Sequence, residues 1–161
     1  MAKVKLHGFD KVMRNLNKEL AGIENRSLKG LIRATILIRR DMDQTSPIIP
    51  LDTGNLRASF YTVTSKGRIT RGANPKFKGK QAKTLAANHP GEVDQARALI
   101  SREDRPAVAL GFSAFYAFFV HEMVGAHFQR PGSGAKFFES ALKRNHDKIV
   151  KVIQEEARLK K

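Results

Sequence analysis

The 161-residue chain has no cysteine. No disulfide staples the fold, no thiolate can serve as a nucleophile, and a reducing compartment is the natural setting. Acidic residues are also scarce, 15 against 30 lysines and arginines, which leaves a formal net charge of +15. A charge of that size on a chain this short is self-repulsive unless something acidic lies nearby. Long apolar runs are missing too. The opening MAKVKLHGFD has no apolar core of signal-peptide length, and no later stretch approaches the roughly 20 apolar residues that span a bilayer. A soluble protein that is not exported, such as a bacterial or viral cytosolic product, is expected. The length suits one domain, residues 1–161, with one core.

The charge is unevenly spread. By segment it is +5 over residues 1–46, zero over 47–65, +6 over 66–106, zero over 107–135 and +4 over 136–161. The two neutral segments also hold most of the aromatic residues, so they read as the packed centre with basic material around them. Phe9, Val12, Met13, Leu16 and Leu20 recur at helical spacing, and after GIENRS the spacing resumes at Leu28, Leu31, Ile32 and Ile36. Two N-terminal helices are predicted, the second ending near Ser46 because Pro47 disfavours helical geometry in the residue before it. ASFYTVTS and AVALGF are strand candidates, rich in β-branched or apolar residues. Residues 66–106, full of Gly, Pro, Asn and Lys, read as an inserted basic excursion with at most a short helix near Val93–Ile100. AFYAFFVHEM reads as a short helix apolar on nearly every face and therefore buried on more than one side. A C-terminal helix follows, with Phe138, Ala141, Leu142, Ile149, Val152 and Ile153 on one face and a tail at 155–161. The fold class is α+β: two N-terminal helices and a C-terminal helix on a small, mainly antiparallel sheet, with a long basic inserted loop.

Motifs that suggest chemistry weaken under their spacing. Asp52-Thr53-Gly54 matches the tripeptide of aspartic proteases, in which two carboxylates share a proton across a dimer. That arrangement needs an all-β chain, whereas here the tripeptide follows helical patterns and a proline. The plainer reading is a turn in which Asp52 or Thr53 accepts a nearby backbone N–H and Gly54 supplies the bend. In HEMVGAH, His121 and His127 are six residues apart, about 240° around a helix, so they do not form the zinc pair of metalloproteases. His7, His89 and His146 have no ligand spacing. The close acidic pairs, Asp41 with Asp43 and Glu103 with Asp104, do not form a two-carboxylate site. No catalytic residue, cofactor or metal is expected. The basic stretch with Lys76, Lys78, Lys80 and Lys83 around Phe77 is a candidate for contact with nucleic-acid phosphates, against the plainer reading of a solvated loop.

Three stretches together carry a resemblance: Pro50, Asp52, Thr53, Gly54, Leu56, Arg57 and Ser59; then Tyr116, Ala117, Val120 and Glu122; then Phe137, Phe138, Ala141 and Leu142. Their order and spacing resemble the tail-component family of long-tailed bacteriophages, the head-tail joining or tail-completion proteins of the neck. The chain departs from that pattern in EMVGA, in the residues before Phe137, and in the length of 66–106. The resemblance implies a structural virion protein that forms a closed six-fold ring between head-connector and tail-tube or tail-terminator proteins. It implies no enzymatic activity and no membrane partner, with the genome passing through the channel in non-specific contact. On that reading Phe115, Tyr116, Phe118, Phe119, Val120 and Glu122 serve the core and the subunit interface. A freestanding basic DNA-binding protein and an aspartic protease are the alternatives.

Overall fold

The computed structural model describes residues 9–158. In chain order it comprises α1 (Phe9–Gln44), α2 (Asn55–Ala58), β1 (Phe60–Thr64), β2 (Ile69–Arg71), α3 (Ala82–Ile100), β3 (Val108–Phe112), α4 (Ala117–Glu122) and α5 (Phe137–Ala157). The class is α+β, with an antiparallel three-stranded sheet in the order β2-β1-β3. The two strands expected from ASFYTVTS and AVALGF pair directly, from Phe60 opposite Phe112 to Thr64 opposite Val108.

The N-terminal region differs from expectation in being one helix of 36 residues rather than two. Ile23 lies three residues after Leu20 and keeps the apolar stripe in phase through GIENRS, and one glycine costs a helix only about 1 kcal/mol. The second half of α1 packs antiparallel to α5: Asp41 meets Arg144, and Arg33 pairs with Glu156 at the opposite end. The two backbones come so close at Gly30 that a Cβ there would stand 2.9 Å from the Cα of Ile153. Arg144 fastens the other end, where its Nε donates to Asp41 (3.1 Å) and its Nη1 to the carbonyl of Ser46 (3.0 Å). One side chain thus satisfies an otherwise open carbonyl just past the end of α1 and pairs with a carboxylate in its last turn.

Alternation along β1 divides the core. Phe60, Leu110 and Phe112 join Ile38, Met42, Phe137 and Ala141 of the helix pair. Tyr61, Val63 and Ala109 face Val93 and Ile100 of α3. The excursion expected at 66–106 is therefore part of the fold, supplying β2 and the 19-residue α3, with Leu85, His89, Val93 and Ile100 buried on one face. Its basic stretch, residues 72–81, is the longest part without regular structure, beside the short turns at 66–68 and 101–106. Burial turned a charged, proline-containing sequence into a core helix, because four inward positions are enough to dock a helix on a sheet. The predicted tail also differs: α5 runs through Ala157, while residues 159–161 and His7 lie outside the described residues.

Candidate functional site

The PLDTGNLRAS stretch turns the chain from α1 into β1. Pro50 and Leu56 are buried. Gly54 takes φ 86°, ψ 0°, a left-handed conformation in which a side chain would be strained. The hydroxyl of Thr53 accepts the backbone N–H of Asn55 at 3.4 Å, and Gly54 and Asn55 carbonyls accept from Ala58 and Ser59 to close the single turn of α2. Ser59 is fully buried; its hydroxyl donates to Leu56 O at 2.8 Å and its carbonyl accepts the Ser113 N–H, joining the turn to the end of β3. Arg57 donates to Asp43 at 2.9 Å, tying the motif back to α1. Beside it, Arg39 lies over the ring of Phe60 at 4.9 Å and bonds to Arg57 O at 3.3 Å. Burial brings its pKa down to about 10, against the opposing pull of Asp43, so it remains charged at neutral pH.

Asn55, which the sequence reading passed over, organises the site. Its buried side-chain amide donates to the carbonyl of Lys78 and accepts the N–H of Lys78, both at 2.8 Å. The amide pairs like a strand neighbour and holds the basic strap 72–81 against the turn. His89 fixes the same strap from below, with Nδ1 2.6 Å from Ser113 Oγ and Nε2 2.6 Å from Gly72 O. Its ring also lies edge-on to Phe77 of the strap. A buried asparagine and a buried histidine have no distinctive spacing, so only the tertiary contacts mark them.

The result is a cleft of about 630 Å³ where the PLDTGNL turn, the basic strap and the residues around the start of α4 meet, while Phe137, Phe138, Ala141 and Leu142 do not line it. Leu51, Leu56, Tyr116, Val120 and Phe128 line it, with Asp52, Lys78 and Lys80 as its charged members. Burial, with a smaller effect from Asp52, raises the Tyr116 hydroxyl above its ordinary pKa and keeps it neutral. Lys76 and Lys83 are exposed but do not line the cleft.

Burial of the short aromatic helix on several sides is not what the structure shows. Tyr116 and Val120 pack against the core, but Phe115, Phe118 and Phe119 are 55%, 69% and 66% exposed, followed by Met123 and Val124 at 50% and 76%. The helix is only six residues long and lies on the body through one face, so among the described residues Phe115 meets Tyr116 edge-on, and Phe118 and Phe119 meet each other, rather than the core. Glu122 is exposed and paired: it accepts from Lys136 and, at 2.7 Å, from His121. Those bonds, that from Lys136 first, lower its pKa and tie α4 to the start of α5. Among the described residues no group of three His, Asp or Glu side chains is placed to hold a metal ion. No described helix is long and apolar enough to cross a membrane.

Comparison of the chain with protein-family models, with curated proteins and with solved structures finds no match.

Proposed function

We propose that the protein is a structural component of a bacteriophage neck, assembling into a ring that completes the tail and joins it to the head. The observation that carries this reading is the run of exposed apolar side chains on and either side of α4, Phe115, Phe118, Phe119, Met123 and Val124. Contiguous exposed aromatic surface of this kind marks an interaction site in a soluble protein. The resemblance of PLDTGNLRAS, YAFFVHE and KFFESAL to the tail-component family supplies the identity of the assembly. A motif that works as a turn, with Gly54 at positive φ and Asn55 clasping the strap, fits a structural role for Asp-Thr-Gly. An α+β chain does not offer the all-β frame that an aspartic-protease dyad needs. Partners on this reading are copies of the same chain, the adjoining head-connector and tail-tube or tail-terminator proteins, and genomic DNA through exposed lysines such as Lys76 and Lys83. The place of action is the virion, after assembly in the host cytoplasm.

A second reading, a freestanding DNA-binding protein, is favoured by one observation: the strap presents Lys76, Lys78 and Lys80, with Lys83 just beyond it, all exposed. Sedimentation of the purified protein with and without duplex DNA separates the two. The neck reading expects self-association without DNA. A monomer that binds duplex tightly, with affinity falling steeply as salt rises, supports the alternative.

A further inference from the structure

We infer that the N-terminal half of α1 is an arm that docks on a second copy of this chain, laying its apolar stripe along the cleft and the α4 aromatic patch of that neighbour. The inference deepens the ring reading and rests on it for the closed form of the assembly, but the contact itself does not require a phage origin.

Every residue from 11 to 21 is exposed, as are Ile23, Glu24 and Asn25, so the first half of α1 stands off the body. It is nonetheless amphipathic. At about 100° per residue, Val12, Met13, Leu16, Leu20 and Ile23 fall within about 55° of one line along the helix. They are 38% to 62% exposed. An isolated helix of this length is marginal in water, and such a stripe is normally covered by a partner. Single exposed apolar side chains such as Ile36 and Leu99 occur elsewhere, but Phe115, Phe118, Phe119, Met123 and Val124 form a run, and that run is at the far end of the molecule. His121 of α4 stacks edge-on against Phe137 at the start of α5, which lies beside the C-terminal end of α1. From Leu16 to Met42 the helix rises about 39 Å, so the arm cannot reach its own α4 patch while α1 is straight.

Charge selects the same pairing. Over residues 9–25, Lys11, Arg14 and Lys18 balance Asp10, Glu19 and Glu24, and residues 107–135 are also neutral, within a chain of +15. Copies that repel each other elsewhere can approach through these two surfaces. On the arm, Glu19 and Glu24 flank the stripe at about 70° to either side, while Lys11, Arg14 and Lys18 lie more than about 140° away on the back. The cleft presents Lys78 and Lys80. A helix seated by its stripe would bring its acidic flanks to those lysines, the usual helix-in-groove arrangement. Because arm and cleft are different surfaces, the contact is head-to-tail and repeats until it closes or extends.

The absence of cysteine makes the test clean. Asn17→Cys, at the edge of the stripe, and Gln129→Cys, in the cleft wall, are introduced in separately tagged full-length chains, co-expressed, and treated with a short bismaleimide. The expected result is a cross-linked pair containing both tags, with a ladder in multiples of 18.0 kDa when both changes are in one chain. Leu16→Glu with Leu20→Glu should lower the yield at least ten-fold. Glu19→Lys with Glu24→Lys should lower it too, and Lys78→Glu with Lys80→Glu in the neighbour should restore it. Cross-linking of Asn17→Cys chains to each other would overturn the inference in favour of an arm-to-arm bundle. Closed rings without the mixed cross-link would overturn it while leaving the proposed function standing. The mixed cross-link in open filaments would uphold the contact and remove the ring.

Discussion

Asn55 is a small side chain with a large structural task. It occupies one of the three unspecified positions of the PLDTGNLRAS pattern, yet its amide makes both bonds to Lys78 that hold the strap beside the turn. Asn55→Ala removes two part-buried hydrogen bonds to the backbone of Lys78 and is expected to cost about 1–2 kcal/mol. Urea denaturation should show it as a lower midpoint, and an unchanged midpoint would mean the strap is held by other contacts. Within the same turn, Gly54→Val should cost at least about 1–2 kcal/mol because φ is 86°, whereas Asp52→Asn should leave the midpoint where it was. Phe118→Ala and Phe119→Ala invert the usual expectation for phenylalanine. Both side chains are about two-thirds exposed, so each should stay within about 0.5 kcal/mol of the parent as a monomer and reveal itself only in weaker self-association. The turn role of Gly54 was legible in the sequence, since few residues other than glycine suit such a bend. The roles of Asn55 and His89 were not, because a hydrogen-bonding partner 17 to 24 residues away leaves no local trace.

Among the elements, those with strong local periodicity or β-branched composition were legible, and those shaped by tertiary contact were not. β1 and β3 stood out from their residues, as did the helical stripe of α5. α3 was obscured: its inward positions include His89 in place of an apolar residue, and Pro90 and Gly91 interrupt its middle. The α1–α5 pair offers two tests. Gly30→Ala places a methyl group against the backbone of Ile153, and the separation it forces should cost about 1–3 kcal/mol. Asp41 gives the pair a pH dependence. Burial alone would raise its pKa, but the bonds from Arg144, Asn145 and Thr45 outweigh that and hold it below the ordinary 3.8. A depressed carboxylate pKa stabilises the fold fully above the unfolded value and loses that contribution as pH falls through the folded value. Arg144→Ala should therefore lower stability by a constant amount between about pH 5 and 7, and below about pH 4 the gap to the parent should narrow to what the bonds from Arg144 to the Ser46 and Thr45 carbonyls contribute. A gap that widened in acid would contradict the pairing. The arm makes a kinetic prediction: amides of residues 12–24 should exchange fast with solvent in the monomer and slow markedly on assembly.

For the whole molecule, the +15 charge is the main constraint. Six copies would carry a net charge of about +90, yet a duplex crossing a ring about 40 Å tall presents only about 24 phosphates at one per 1.7 Å. DNA in a channel can balance only part of that charge, so much of the basic surface must meet acidic neighbours or solvent. Lys76 and Lys83, exposed and outside the cleft, remain available for DNA when Lys78 and Lys80 face a neighbouring arm. Replacing Lys76 and Lys83 with glutamine should weaken DNA retention, shown by a shallower salt dependence of binding, while leaving assembly intact. The central claim is that this chain closes on itself into a ring, and negative-stain imaging of the purified full-length protein, at a concentration where sedimentation shows self-association, tests it most directly. The account predicts discrete closed rings of uniform symmetry with an open centre, lost on Leu16→Glu with Leu20→Glu. Monodisperse single chains at every concentration, without rings in the presence or absence of DNA, would contradict it.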